Sequence, residues 1–212
     1  MNPRGLASDA TRDRIRRVVV PIAVGLGRLG LTPNALTVIG FIGTGLAAWA
    51  AATQQWALAG ILVIAFGIFD LFDGALARAT GTASRFGAFL DSTLDRTGEN
   101  LVLAGVAFGC AQAQFPMGVL TAVLAMAFAS VVTYTRARAE AVGVHGEVGV
   151  APRPERLILL SAGLVLAGVP GGFLGFGRAW IALAVGLIAL LSAITVLQRL
   201  IHVKRQLDQI DR

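Results

Sequence analysis

Charge is scarce in this chain. Only 14% of its 212 residues are Asp, Glu, Lys or Arg, while 56% are hydrophobic. A soluble domain carries about a quarter of its residues charged, so the composition excludes an ordinary soluble domain. Cysteine is nearly absent. The single Cys110 excludes an intrachain disulfide and lies in an apolar run without metal-ligand spacing, so it reads as a small packed residue. The two histidines, His145 and His202, stand alone in polar segments and take no role. A secretory leader is not expected: the N-terminal charged stretch is long, Arg28 interrupts its apolar part, and no small-x-small cleavage site follows. The net charge of +6 comes with no nucleic-acid-binding motif, so nucleic acid is not an expected partner.

What is present is hydrophobic length. Six apolar stretches, at about 34–53, 57–79, 85–110, 116–142, 154–169 and 177–201, predict six transmembrane helices. Thr32 followed by Pro33 is a start signal for the first, Pro116 and Pro154 open two others, and Pro170-Gly171-Gly172 marks a turn before the last. Residues 8–29 are too polar to span. Arg12, Arg14, Arg16 and Arg17 precede Val18, Val19, Ile22 and Leu26, the pattern of an amphipathic helix lying in the interface, kinked near Pro21. A disordered basic tail up to Arg17 is the competing reading. The fold expected is an all-α integral membrane protein of six transmembrane helices plus an N-terminal amphipathic juxtamembrane helix. It forms one domain over 1–212, with the juxtamembrane helix at 8–29 and the six-helix bundle at 34–201.

Basic residues orient it. With six spans, every one of the 18 Lys and Arg except Arg178 falls on the side that holds both termini. The connections near 54–56, 111–115 and 170–176 carry no charge. Both termini are therefore expected in the cytoplasm, in the inner (cytoplasmic) membrane of the cell, with the basic face against anionic membrane lipid and anionic substrate.

Against this apolar background, Asp70, Asp73, Asp91 and Asp95 fall within 26 positions. Asp70 and Asp73 share one helix face near the end of the second span, and Asp91 and Asp95 share another near the start of the third. The loop from Ala79 to Arg85 is short, so the two helices are expected to be neighbours and the carboxylates to converge. Carboxylates at membrane depth are costly unless neutralised. All-oxygen ligation suits Mg²⁺ or Mn²⁺, and four carboxylates fit two divalent ions about 3.5–4 Å apart, an arrangement for displacement at phosphorus. Gly74, Ala77 and Gly87 leave room for a bulky ligand against the helix backbone, and Arg78 can bind phosphate bidentately. The bland alternative is ion pairing with Arg78, Arg85 and Arg96, which would leave one carboxylate without a partner.

The segment Asp70-x-x-Asp73-Gly74-x-x-Ala77-Arg78-(x8)-Gly87-x-x-x-Asp91-x-x-x-Asp95 resembles the signature of the CDP-alcohol phosphotransferase family at every fixed position. The resemblance covers nearly the whole chain. It implies six membrane helices, a juxtamembrane helix, a homodimer, a cytoplasm-facing site, and transfer of a substituted phosphate from a CDP-linked donor to an alcohol with release of CMP. By the same resemblance, Asp70, Asp73 and Asp91 hold one metal, Asp70, Asp91 and Asp95 touch the second, and Asp95 is the general base. Asp73, Gly74, Ala77 and Arg78 contact the CDP moiety.

A second basic cluster bears on the acceptor. Arg136 and Arg138 end the fourth span, Arg153 and Arg156 begin the fifth, and Arg199 ends the sixth. Guanidiniums gathered beside a metal site point to a pocket for a second anion; ordinary cytoplasmic-side charge is the alternative. The stretches Arg-Ala-Arg-Ala-Glu-Ala, Arg-Pro-Glu-Arg-Leu, Gln-Arg-Leu and Gly-Arg-Leu-Gly-Leu-Thr-Pro are similar to those of the family's actinobacterial phosphatidylinositol phosphate synthase branch. That implies CDP-diacylglycerol as donor, an inositol phosphate as acceptor, and Arg136, Arg138, Arg156 and Arg199 on the acceptor phosphate. One position departs: the branch has Lys where this chain has Arg136, and the two differ in geometry. Two other readings stay open, a phosphatidylglycerophosphate synthase and a divalent-cation transporter. Against the transporter, no acidic gate appears at the outer ends of the spans. Glu99, one turn beyond Asp95, is either a support for the metal site or a buried hydrogen-bonded residue. Gly105-x-x-x-Gly109 fits a close helix contact, either within the chain or between two copies.

Overall fold

Thr32 accepts a hydrogen bond from the Ala35 N–H at 3.2 Å, and Pro33 takes the first helical position. The same logic of caps and breakers recurs along the chain. A computed structural model describes residues 9–150, 152–171 and 173–210, with side chains from residue 17 onward. Its helices are α1 (Asp9–Arg28), α2 (Pro33–Ala52), α3 (Trp56–Gly67), α4 (Phe69–Thr80), α5 (Arg85–Gln112), α6 (Pro116–Ala141), α7 (Arg153–Gly168) and α8 (Ala179–Ile210), with a short 3-10 turn at Phe173–Gly175. No strand forms among the described residues.

The stretch expected as one span at 57–79 is two helices. Ile68 separates α3 from α4, but its backbone stays right-handed (φ −69°, ψ −27°), so the break is a slip in hydrogen bonding and not a turn. Four segments are long and apolar enough to cross a membrane: Pro33–Ala52, Trp56–Thr80, Pro116–Ala141 and Ala179–Ile210. Helix α5 carries Asp91, Asp95, Arg96 and Glu99, and α7 is only 16 residues long; neither crosses on length and composition alone.

Packing closes a ring. Helix α2 packs on α5, α5 on α6, α6 on α8, α8 on α7, α7 on α3, and α3 on α2. The core inside it includes Ala47, Leu103, Val106, Leu164 and Ile188. Cys110 is buried there, as a packed residue. Gly105 and Gly109 of α5 lie against the carbonyls of Ala48 and Ala51 in α2, and any Cβ would collide with them. That Gly-x-x-x-Gly stripe is thus used inside the chain. Helix α4 rests on α2 and on α1, where Ala23, Leu36, Ala75 and Leu76 form a second apolar cluster. Pro21 lies inside α1, which remains one helix from Asp9 to Arg28.

One expectation is overturned. Helices α4 and α5 make no extended contact, although only residues 81–84 connect them. Gly81 ends α4 in the left-handed conformation (φ 67°), and Ser84 caps α5 by accepting the Gly87 N–H at 3.0 Å. The loop therefore splays the helices, and α2 packs against both. A third wall enters the cleft between the two carboxylate pairs.

Candidate active site

Asp73 is the most buried of the four carboxylates, at 5% exposure. The Thr37 hydroxyl on α2 donates to its Oδ2 at 2.6 Å. Asp70 lies in the first turn of α4 and faces Gly40 of α2. Asp91 and Asp95 lie one turn apart on α5, and all four carboxylates are near enough to repel one another.

Part of the charge between them is offset by an unexpected residue. Arg153, the first residue of α7, donates through Nη1 to Asp70 Oδ2 at 2.7 Å and to Asp95 Oδ2 at 2.5 Å. Among the described residues no ion pair joins the four carboxylates to Arg78, Arg85 or Arg96. The alternative of ion pairing with those three arginines does not hold.

Two cavities meet at Asp91. A cavity of about 230 Å³ is lined by Asp73, Gly74, Ala77, Arg78, Gly87 and Asp91, with Asn34 and Thr37 from α2. A Cβ at Gly87 would stand 3.2 Å from Asn34 Oδ1 and 3.1 Å from Ser84 Oγ, so the small residue keeps this wall open. A second cavity, of about 600 Å³, is lined by Asp91, Asp95, Arg96, Arg136, Arg153, Arg156 and Arg199, among others. The two share Ala88 and Asp91.

The structure brings three of the four acceptor-side arginines to that larger cavity. Arg156 is 3% exposed and grips Glu99 with Nε at 2.7 Å and Nη2 at 2.8 Å. Arg199 spends donors on backbone carbonyls, Nε on Val148 O at 2.8 Å and Nη1 on Val132 O. Arg136 is half exposed and pairs with Glu140 at 2.9 Å and with Glu147. Arg138 is exposed and does not line the cavity, because two residues along α6 turn it away from Arg136. Glu99 is one partner of a buried ion pair, so of the two roles open to it the buried bonded one is observed. Thr37, Asn34 and Arg153 were missed as contributors to the carboxylate site. Arg153 carried a signal as a member of the basic cluster; Thr37 carried none, because its partner Asp73 lies 36 positions away in sequence, and Asn34 carried none, because α2 meets the signature helices only in the fold.

No three described carboxylates, histidines or cysteines close into a ready metal-ligand cluster. The donor chemistry nevertheless fits a hard divalent cation: the set is all carboxylate oxygen, and a cation, the Arg153 guanidinium, already bridges two of its members.

An all-helical, multi-pass membrane protein with a carboxylate-lined cleft is the class that this fold and site define. The chain belongs to the CDP-alcohol phosphatidyltransferase family, whose model matches residues 30–198. It is 35% identical to the phosphatidylinositol phosphate synthase of Mycobacteroides abscessus, over 95% of this chain and 90% of that one. It is 37% identical to the archaetidylinositol phosphate synthase of Pyrococcus horikoshii, over 93% of this chain and 96% of the other. The crystal structure of Mycobacterium tuberculosis phosphatidylinositol phosphate synthase with CDP-DAG bound superposes with a TM-score of 0.79 at 34% identity, covering 88% of this chain and 94% of that one. The same enzyme in complex with manganese and citrate also gives 0.79, at 34% identity, covering 87% and 88%.

Proposed function

We propose that the chain transfers the phosphatidyl group from CDP-diacylglycerol to a hydroxyl of an inositol phosphate, giving phosphatidylinositol phosphate and CMP. The observation that carries this reading is the pair of cavities joined at Asp91, one walled by the family signature and the other by arginines. A nucleotide-linked diphosphate suits the first; an acceptor that bears its own phosphate suits the second. The names of the relatives add support: they differ in the donor lipid and agree on inositol phosphate.

In this reading Arg78 binds the diphosphate, Gly74, Ala77 and Gly87 let the nucleotide lie against α4 and α5, and Thr37 holds Asp73 in place. Asp70, Asp73, Asp91 and Asp95 would hold two divalent ions, Mg²⁺ or Mn²⁺. Those ions, when bound, neutralise the diphosphate and the leaving CMP. Asp95 takes the proton from the acceptor hydroxyl. The hydroxyl oxygen forms its bond to the lipid-side phosphorus as the bond from that phosphorus to the CMP oxygen breaks. Arg156, Arg199 and Arg136 draw the acceptor's phosphate into the larger cavity, so that its hydroxyl faces Asp95.

The wider arrangement belongs to the same proposal. Helices α2, α3–α4, α5, α6, α7 and α8 make six spans of one domain, α1 lies in the interface, and both termini face the cytoplasm of a bacterial cell. Two copies form a homodimer.

An acceptor screen tests the reading. Purified protein receives CDP-diacylglycerol and Mg²⁺ with inositol phosphate, inositol, glycerol 3-phosphate or serine in turn, and CMP release is followed. Inositol phosphate is expected to support turnover, with free inositol far slower for lack of its anchor. Preferred use of glycerol 3-phosphate would make the protein a phosphatidylglycerophosphate synthase, and Mn²⁺ uptake into vesicles without any lipid substrate would make it a transporter.

A further inference from the structure

One Arg153 nitrogen serves both Asp70 and Asp95, two of the carboxylates that line the site. A divalent ion held by those same oxygens, at about 2.0–2.1 Å for Mg²⁺, would occupy the space of Nη1. Two cations cannot share that space, because repulsion at such a distance is severe when partly buried. The position also leaves the guanidinium badly served: Arg153 Nε is buried with no hydrogen-bond partner.

Where Arg153 goes when it leaves is set by its surroundings. It sits between Pro152 and Pro154 at the start of α7, so its backbone is held and the side chain does the moving. The same side chain already lines the 600 Å³ cavity, beside Arg136, Arg156 and Arg199. Those three are committed elsewhere, to Glu140 and Glu147, to Glu99, and to the carbonyls of Val148 and Val132. Arg153 is the arginine of the group whose present partners are the carboxylates a metal would take.

We propose that Arg153 is an exchangeable counter-ion that couples the carboxylate site to the larger cavity: metal binding at Asp70 and Asp95 displaces its guanidinium into that cavity, where it completes the site for the acceptor's phosphate. This rests on the metal and acceptor assignments proposed above. Arg153 is thus a counter-ion in one state and a binding residue for the acceptor's phosphate in the other. Its occupation of the carboxylates keeps the acceptor site incomplete until metal arrives. Because linkage is reciprocal, an anion that holds Arg153 in the larger cavity also tightens the metal.

The test is an equilibrium titration of Mn²⁺, read by electron paramagnetic resonance, on the full chain in detergent without nucleotide. Wild type, Arg153→Gln, Arg153→Lys and Asp91→Asn are each titrated with and without saturating inositol phosphate. Arg153→Gln removes the competing charge and is expected to bind Mn²⁺ about tenfold tighter than wild type. Inositol phosphate should tighten Mn²⁺ by about fivefold or more in wild type and leave Arg153→Gln almost unchanged. Arg153→Lys keeps the charge, serves as the folding control, and should stay near wild type. Equal Mn²⁺ affinity in wild type and Arg153→Gln overturns the inference. So does a Lys variant as tight as the Gln variant, or coupling that persists without Arg153. If Asp91→Asn leaves Mn²⁺ binding intact, the metal assignment itself is what fails.

Discussion

At the scale of single residues, the carboxylates were legible because spacings of three and four put each pair on one helix face, whatever the tertiary fold. Their partners were not. Thr37 meets Asp73 across 36 positions of sequence, and Arg153 meets Asp70 across 83. Asp91 borders both cavities, so Asp91→Asn should abolish CMP release while the protein still elutes as a folded species on size exclusion; near-normal turnover would remove it from the centre of the chemistry. Thr37→Val should raise KM for the CDP-lipid about tenfold, since a hydrogen bond to a charged group is worth roughly 1.5–3 kcal/mol, with KM for the acceptor little changed. Arg156 demands a different expectation. Its bidentate grip on buried Glu99 means that Arg156→Ala leaves a carboxylate alone in the interior. The loss of stability should be on the order of 3–5 kcal/mol, visible as a drop in melting temperature in detergent even with no substrate present. A variant that melts like the parent would place the pair outside the framework.

At the scale of elements, the six apolar stretches were readable from length and the proline starts, and the boundaries of α2, α5 and α6 fall close to where composition placed them. The pairing of helices was not readable. A loop of four residues between α4 and α5 argued for neighbours, yet a left-handed Gly81 and a Ser84 cap send the two helices apart, and α2 packs against both. Short connections limit distance and leave direction free. The glycine stripe on α5 was legible as a close contact without naming its partner, which is the backbone of α2. Gly105→Val should therefore cost about 1–3 kcal/mol or more through overpacking, lowering the melting temperature without shifting either KM. An unchanged melting temperature would mean that α2 yields freely.

At the scale of the whole molecule, the distribution of Lys and Arg predicts orientation, because short loops rich in them stay on the cytoplasmic side of the bilayer. The single native thiol, Cys110, is buried, so the chain is close to a cysteine-free background for labelling. A cysteine placed at Lys204 should react with an impermeant maleimide only in inside-out vesicles, and one at Gln114 only from the opposite face; the reverse pattern would invert the topology. The buried pair between Glu99 and Arg156 has one further effect, on biogenesis. Glu99 emerges from the ribosome 57 residues before Arg156 does, at roughly 5–20 residues per second. Until then Glu99 lacks its bidentate partner and has only Arg96, three positions earlier on the same helix, as a nearby cation. In the six-span arrangement proposed above, an ionised group at the middle of a span costs about 2.5–3.5 kcal/mol at the translocon. Helix α5 should therefore dwell at the insertion machinery, or slip back, until Arg156 is synthesised and the two enter lipid as a neutral unit. A nascent chain arrested after α6 would leave α5 open to protease, and one arrested after α7 would not.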